Sequence, residues 1–278
     1  MNQTPNRTRR KPIQLRQSNV KPISAHLNGF YDKRMFAPSV NRFYENSDFH
    51  NLGYWKPGTR TQKEACENLM DKLIGFIPQP GGTLLDVACG KGASTRYLSR
   101  FYAPENITGI NITEKQLERC HANAPGCKFL LMDAARLDFA DAEFDTVVCI
   151  EAAFHFVTRD DFLREAFRVL KPGGRLVLTD ILVTRWAGQR MFPVPQNFIP
   201  GPLAYRKNLR AIGYRNIEIV DATNECWIRC YNYLLDVLGG RLRRSEIGPR
   251  MYRRRRQRIF AKWRRTKFYL LVAASKPR

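Results

Sequence analysis

The stretch Leu84-Leu85-Asp86-Val87-Ala88-Cys89-Gly90-Lys91-Gly92-Ala93-Ser94-Thr95 constrains this chain more than any other. Apolar residues run into an acid, then small residues, then helix formers, the pattern of a strand that turns sharply and feeds a helix. Small residues at 88, 90 and 92 let the backbone approach a ligand closely, so the loop reads as a nucleotide-type cradle. A dinucleotide fingerprint would need glycine where Ala88 and Ala93 stand, and a phosphate loop would need serine or threonine after Lys91, where Gly92 stands. Both occupants are disfavoured.

The surroundings extend the pattern. Strand signals at 83–88, 106–110, 128–132, 144–149 and 175–181 interleave with helical periods at 92–102, 113–124 and 159–170, which predicts an α/β fold with a parallel, doubly wound sheet. Lys171-Pro172-Gly173-Gly174 stops the last of these helices. Further on, 202–212 reads as helix, and 216–222 and 267–274 as strands. The roughly forty residues between those two strands are long for a connection and are predicted to be helical and functional. On this basis residues 1–25 form a disordered basic arm, 26–80 an N-terminal helical cap, 81–183 the ligand-binding core, and 184–278 the rest of the sheet with an insertion at about 224–266.

The chain of 278 residues has a formal net charge of +22, and the charge is concentrated. Residues 1–34 hold 8 basic and 1 acidic side chains, and residues 241–267 hold 13 and 1, whereas residues 35–240 are balanced at 24 and 23. The body is thus nearly neutral. No apolar run is long enough to cross a bilayer, and the first twenty residues offer no signal-peptide stretch, so a cytoplasmic location is expected. Seven cysteines without a Cys-x-x-Cys pair read as reduced, packed thiols.

Leu84 to Gly92 resembles the first motif of class I S-adenosylmethionine-dependent methyltransferases, with Ala88 in place of the usual first glycine. Gly109 to Leu117 is similar to the end of the second strand in the small-molecule branch of that family, which includes natural-product O-methyltransferases and ubiquinone- and tocopherol-type enzymes. Asp133-Ala134, Phe144 to Val148 and Leu170 to Leu176 match later landmarks. The likeness is strong over about residues 42 to 183, and Lys267 to Pro277 resembles the family's final antiparallel strand. It implies a Rossmann-like fold and S-adenosylmethionine as cofactor. Asp86, Ala88, Gly90 and Gly92 would hold the methionine end. Asn111, standing where the family often has an acid, would meet the ribose with Ile112 and Gln116; Asp133 and Ala134 would meet the adenine. Tyr54 and Trp55 of the Gly53-Tyr54-Trp55 segment would lie over the cofactor, where an aromatic face attracts a sulfonium, and Glu151 would add a further contact.

Methyl transfer is an in-line displacement, so the protein aligns the reactants and, for a hydroxyl acceptor, removes a proton. His155 follows the fourth predicted strand at the active end of the sheet, and the resemblance puts a base there and an acid at Asp180 after the fifth. His155 is therefore expected to accept the proton, with Asp180 orienting it or the acceptor. His26, His50 and His121 show no partners at ligand spacing, and no metal site is expected. The expected partner is a small molecule, acidic or hydrophobic, of secondary or lipid-like metabolism. For the basic segment 241–267, a solvated helix packing an apolar stripe ranks first. A substrate lid, a membrane-surface contact and a nucleic-acid platform follow in that order. An RNA-directed or nucleic-acid-binding protein on the same fold is the alternative function, and an oligomer is left open.

Overall fold

The computed structural model describes residues 29, 32–191 and 195–278, so the arm expected at 1–25 lies outside the described residues. Its centre is a seven-stranded sheet. In chain order the strands are β1 (Leu84–Val87), β2 (Ile107–Asn111), β3 (Lys128–Leu131), β4 (Phe144–Cys149), β5 (Leu170–Val183), β6 (Arg215–Asp221) and β7 (Thr266–Ser275). They lie in the order β3-β2-β1-β4-β5-β7-β6. β1 to β5 are mutually parallel, while β7 inserts antiparallel between β5 and β6. The order reverses at β1, and a doubly wound sheet binds its ligand beyond the carboxyl ends of the strands at such a switch point.

Helices cover both faces, and the two-residue period of the strands divides the core between them. Val177, Leu271 and Ala273 face one hydrophobic cluster, with α2 (Gln62–Ile74), α3 (Ala93–Leu98) and α4 (Glu114–Asn123). Leu176, Leu178, Leu270 and Val272 face the other, with α5 (Arg159–Val169) and α7 (Pro202–Ile212). Each fully buried side chain of this kind contributes roughly 1.5–3 kcal/mol. The chemistry of the helix ends is local. Thr61 caps α2 by accepting from the Glu64 amide, and Thr158 and Asp161 form a reciprocal capping box on α5.

A short helix, α1 (Pro38–Phe43), precedes α2, and α6 (Arg185–Met191) follows β5. The insertion before the last strand is helical, as expected. After a π-helical turn at Thr223–Ile228 come α8 (Arg229–Arg243) and α9 (Pro249–Trp263). It docks through stacked aromatics, Trp227 on Tyr231 at 4.6 Å with Trp263 6.4 Å beyond. All seven cysteines are free and buried. β5 starts five residues earlier than its apolar signal because Leu170 pairs with Phe144 and the Gly173 amide donates to Lys276 O, although Gly173 takes a positive φ of 81°. Among the described residues no helix is long and apolar enough to cross a membrane.

Candidate active site

Immediately after β1 the chain enters left-handed conformations at Ala88 (φ 58°), Gly90 (φ 58°) and Gly92 (φ 83°). Two of these are glycine, for which the region is open; Ala88 occupies it at a strain cost of about 1–2 kcal/mol. Gly92 is needed twice over, since a Cβ there would also sit 2.9 Å from the Cys120 Cα. The loop is thus a cradle whose shape is set by backbone. Below it Asp86 is buried at 1% exposure. Its Oδ2 accepts from Thr95 Oγ1 at 2.7 Å and Ser94 Oγ at 3.1 Å, while Oδ1 is buried without a partner. Burial raises this carboxyl to about 6, against the two hydroxyls that pull it down. A buried, half-satisfied carboxylate oxygen costs free energy until a donor reaches it.

A cavity opens above the loop, and it gathers Ala88, Gly90, Asn111, Ile112, Gln116, Ala134, Glu151 and His155 from the expected set. Asn111 and Gln116 are nearly buried and bonded to each other. Asn111 Nδ2 donates to Gln116 Oε1 at 3.0 Å and to Gly90 O at 3.1 Å, and Gln116 Nε2 donates to Asp32 Oδ1 at 3.1 Å. An acid therefore stands behind the Asn111–Gln116 amide pair, supplied by the N-terminal segment.

At the far end, Glu151 is tied to three elements. Its Oε1 accepts from the Leu52 amide at 2.7 Å and from Tyr269 OH at 2.6 Å, and its own amide donates to Thr179 Oγ1 at 2.8 Å. Burial pushes its carboxyl up to about 7. His155, half-buried in the turn between β4 and α5, goes the other way: burial first, then the positive charges of Arg159 and Arg34, lower it to about 4. Near neutral pH the cavity thus presents a neutral imidazole and a carboxyl group close to its midpoint.

Six expected residues lie outside the cavity lining, and Asp180 departs most from expectation. It is fully buried, and its two oxygens accept from Arg159 Nε at 2.6 Å, Arg159 Nη2 at 3.2 Å, Tyr205 OH at 2.8 Å and the Ile181 amide at 2.8 Å. With that full set of donors it holds Arg159 in place and has no free face to orient an acceptor. Trp55 is 5% exposed, packs on the Tyr233 ring at 4.5 Å and donates Nε1–H to Leu52 O. Tyr54 sits beside Lys72, whose Nζ is 6.0 Å from the ring centroid. This pair builds the wall between cap and insertion, where Trp55 exchanges hydrogen bonds with Glu225 O and Arg229 Nη1. Asp86 and Gly92 lie just beneath the cradle surface. Asp133 is exposed, accepting from the Ala135 amide, between the lining residues Met132 and Ala134.

Some lining residues were not singled out from the sequence. His50 lines the cavity with its Nδ1 buried and unpartnered, and burial, then Arg34 and Lys91, lower it to about 3. His121 lies elsewhere, edge-on to Phe129. Lys91, 3% exposed, pairs with Asp48 at 2.7 Å and donates to Asn41 Oδ1, clamping the cap onto the cradle. His50 lacks any sequence signal because its neighbours in space come from the cap, the loop and β4; a lysine inside a glycine-rich turn was the one available hint for Lys91.

Residues 85–178 match the methyltransferase domain family. The chain thus carries a methyltransferase domain and is similar to S-adenosylmethionine-dependent methyltransferases of small molecules. It is 36% identical to the 27-O-demethylrifamycin SV methyltransferase of Amycolatopsis mediterranei over 59% of this chain and 61% of that one. It is 30% identical to the erythromycin 3''-O-methyltransferase of Saccharopolyspora erythraea over 64% and 66%. The chain therefore spans just under two thirds of the length of each. Among solved structures, the geranyl diphosphate C-methyltransferase of Streptomyces coelicolor A3(2), in complex with S-adenosyl-L-homocysteine, superposes with a TM-score of 0.70 at 17% identity, covering 93% of this chain and 99% of that one. The [4+2]-cyclase SpnF superposes equally well, at 0.70 and 23% identity over 91% and 96%. Those two likenesses speak to the fold, and the cyclase is a reminder that this fold carries more than one chemistry. The methyltransferase cofactor is S-adenosylmethionine, and the cradle fits it. The unpartnered Asp86 Oδ1 and the close backbone at Gly90 and Gly92 suit a ligand with an ammonium group and a slim chain.

Proposed function

We propose that this methyltransferase O-methylates a hydroxyl of a small, acidic or hydrophobic acceptor in secondary or lipid-like metabolism, with His155 taking the proton. The observation that supports this reading is the shared cavity, in which His155 and Glu151 face the same space as the 88–94 loop. Asp86 and the loop backbone would hold the methionine end, Asn111, Ile112 and Gln116 the ribose, and Asp133 and Ala134 the adenine. The bound cofactor supplies an electrophilic methyl group. The chain's own residues do the rest. The cap, clamped by Lys91 and Asp48, excludes water; residues about 224–266 brace the cap at Trp55; His155, neutral at working pH, accepts the acceptor's proton.

A second reading exchanges the roles of two side chains. A general base works best when its own titration lies near the working pH, and Glu151, at about 7, meets that condition better than His155, at about 4. The pH profile of transfer from methyl-labelled S-adenosylmethionine separates the two. If His155 is the base, the rate is flat from pH 6 to 8 and His155→Gln loses about 10²–10⁴-fold. A rate that rises through pH 7 in the wild type and flattens in Glu151→Gln assigns the base to Glu151 instead.

A further inference from the structure

α9 has six arginines between 250 and 258, together with Lys262, no acid and no buried residue. Among the described residues none of these seven cations is in an ion pair; the nearest acid in sequence, Glu246, is taken by Arg241 and Arg244. Burial and then Arg34, Arg265 and Arg258 hold Lys262 below the usual lysine range.

At helical spacing, Ile259 and Trp263 share the face that packs on the core, which leaves Arg250, Arg254 and Arg258 as a row facing outward. Large apolar side chains flank that row. Met251 is 47% exposed and Phe260 37%. Arg256 lies over Phe260 at 5.3 Å, and Phe260 stacks on Trp263 at 5.8 Å. The next turn brings Arg265 to 5.9 Å from Trp186, itself 55% exposed at the start of α6. The position of this rim is fixed by the sheet. Val183, the last residue of β5, is paired with Thr266, and the Thr184 amide donates to Arg265 O. The carboxyl edge of the parallel strands, above which the cavity opens, is therefore bordered by the C-terminal end of α9.

We propose that this cationic-aromatic rim docks on an anionic lipid bilayer and seats the carboxyl edge of the sheet against the headgroups. Arginine beside tryptophan and phenylalanine is the chemistry of a headgroup layer, charged at its surface and apolar just beneath. A nucleic acid is the poorer match. Phe260 already carries Arg256 over its ring at 5.3 Å and lies parallel to Trp263 at 5.8 Å, while Trp263 packs against Tyr231 on the core, so neither ring stands alone as a platform for stacked bases. The inference does not depend on which side chain is the base.

The test is co-sedimentation of the full chain with vesicles of phosphatidylcholine alone and of phosphatidylcholine with about one third phosphatidylserine. The expected result is binding to the anionic vesicles only, weakening as salt rises. The Arg254→Gln/Arg258→Gln variant should partition about 25-fold less, at about fivefold for each cation removed, equivalent to about 1 kcal/mol near an anionic surface. Trp186→Ala should weaken binding further, with calorimetric affinity for S-adenosylmethionine and the unfolding midpoint unchanged in both. Failure of the wild type to sediment with anionic vesicles would overturn the proposal, as would equal sedimentation of the arginine variant. So would single-stranded RNA displacing the protein from vesicles at equal phosphate and losing its own binding in that variant.

Discussion

At the loop end of the cavity Asn111, Gln116 and Lys91 are bonded within the protein, the cradle's shape comes from backbone torsions at residues 88, 90 and 92, and Asp86 Oδ1 is left unpartnered beneath it. At the far end the groups that matter are titratable, and burial has moved them toward neutrality, Glu151 up to about 7 and His155 down to about 4. The first end is shaped by backbone torsions; the second holds two titratable groups that burial keeps near neutrality.

The largest effects should break this comparison at the far end. If the two ends are independent, His155→Gln lowers kcat by about 10²–10⁴-fold and leaves the cofactor Kd within about twofold. An equal loss in affinity would show that the ends are coupled. Next is Gly92→Ala, which forces an L side chain to φ 83° and against Cys120. Its cost of about 2–5 kcal/mol should appear in the denaturant midpoint and as weakened cofactor binding.

A smaller effect sharpens the electrostatic side. Glu151 titrates higher folded than unfolded, so the folded chain retains the proton between about pH 4.5 and 7, and stability from this group falls as pH rises through that window. His155, lowered from 6.5 to about 4, binds its proton more weakly when folded, so its contribution to stability grows as pH rises from about 4 to 6.5. The slopes oppose. Glu151→Gln should therefore make the denaturant midpoint climb more steeply with pH between about 5 and 6.5 than the wild type does. The smallest change is Trp55→Phe, with about 1 kcal/mol lost in stability and no change in cofactor Kd, because Trp55 packs on Tyr233 and does not line the cavity.

The strands and helices of the core were legible in the sequence because each carries its own period, and the loop because glycine at 90 and 92 marks its left-handed turns. Ala88 was an irregularity there; in the fold it occupies a glycine-like torsion. What sequence could not provide was the set of neighbours met by long-range packing. Asp180 was expected just after a strand as a catalytic acid, yet it lies within β5, where Arg159, Tyr205 and the Ile181 amide saturate it. His50 and Asp32 lie in the cap, far in sequence from Lys91 and Gln116, and only folding brings them to the site. The aromatic Tyr54-Trp55 pair is diagnostic of position in the chain, but its rings serve the wall between cap and insertion.

The central claim is that the cradle binds S-adenosylmethionine above the half-satisfied carboxylate of Asp86, whose charge favours the ligand's ammonium group, and calorimetric titration with the cofactor across pH 5 to 7.5 tests it most directly. Asp86 titrates near 6 without ligand, and an ammonium partner favours the carboxylate. Binding should therefore release a proton below that value and tighten as pH rises through it, reaching a plateau above; Asp86→Asn should bind about 10–100-fold more weakly with no pH dependence over that range. An affinity that is flat with pH in the wild type and unchanged in Asp86→Asn would contradict the account.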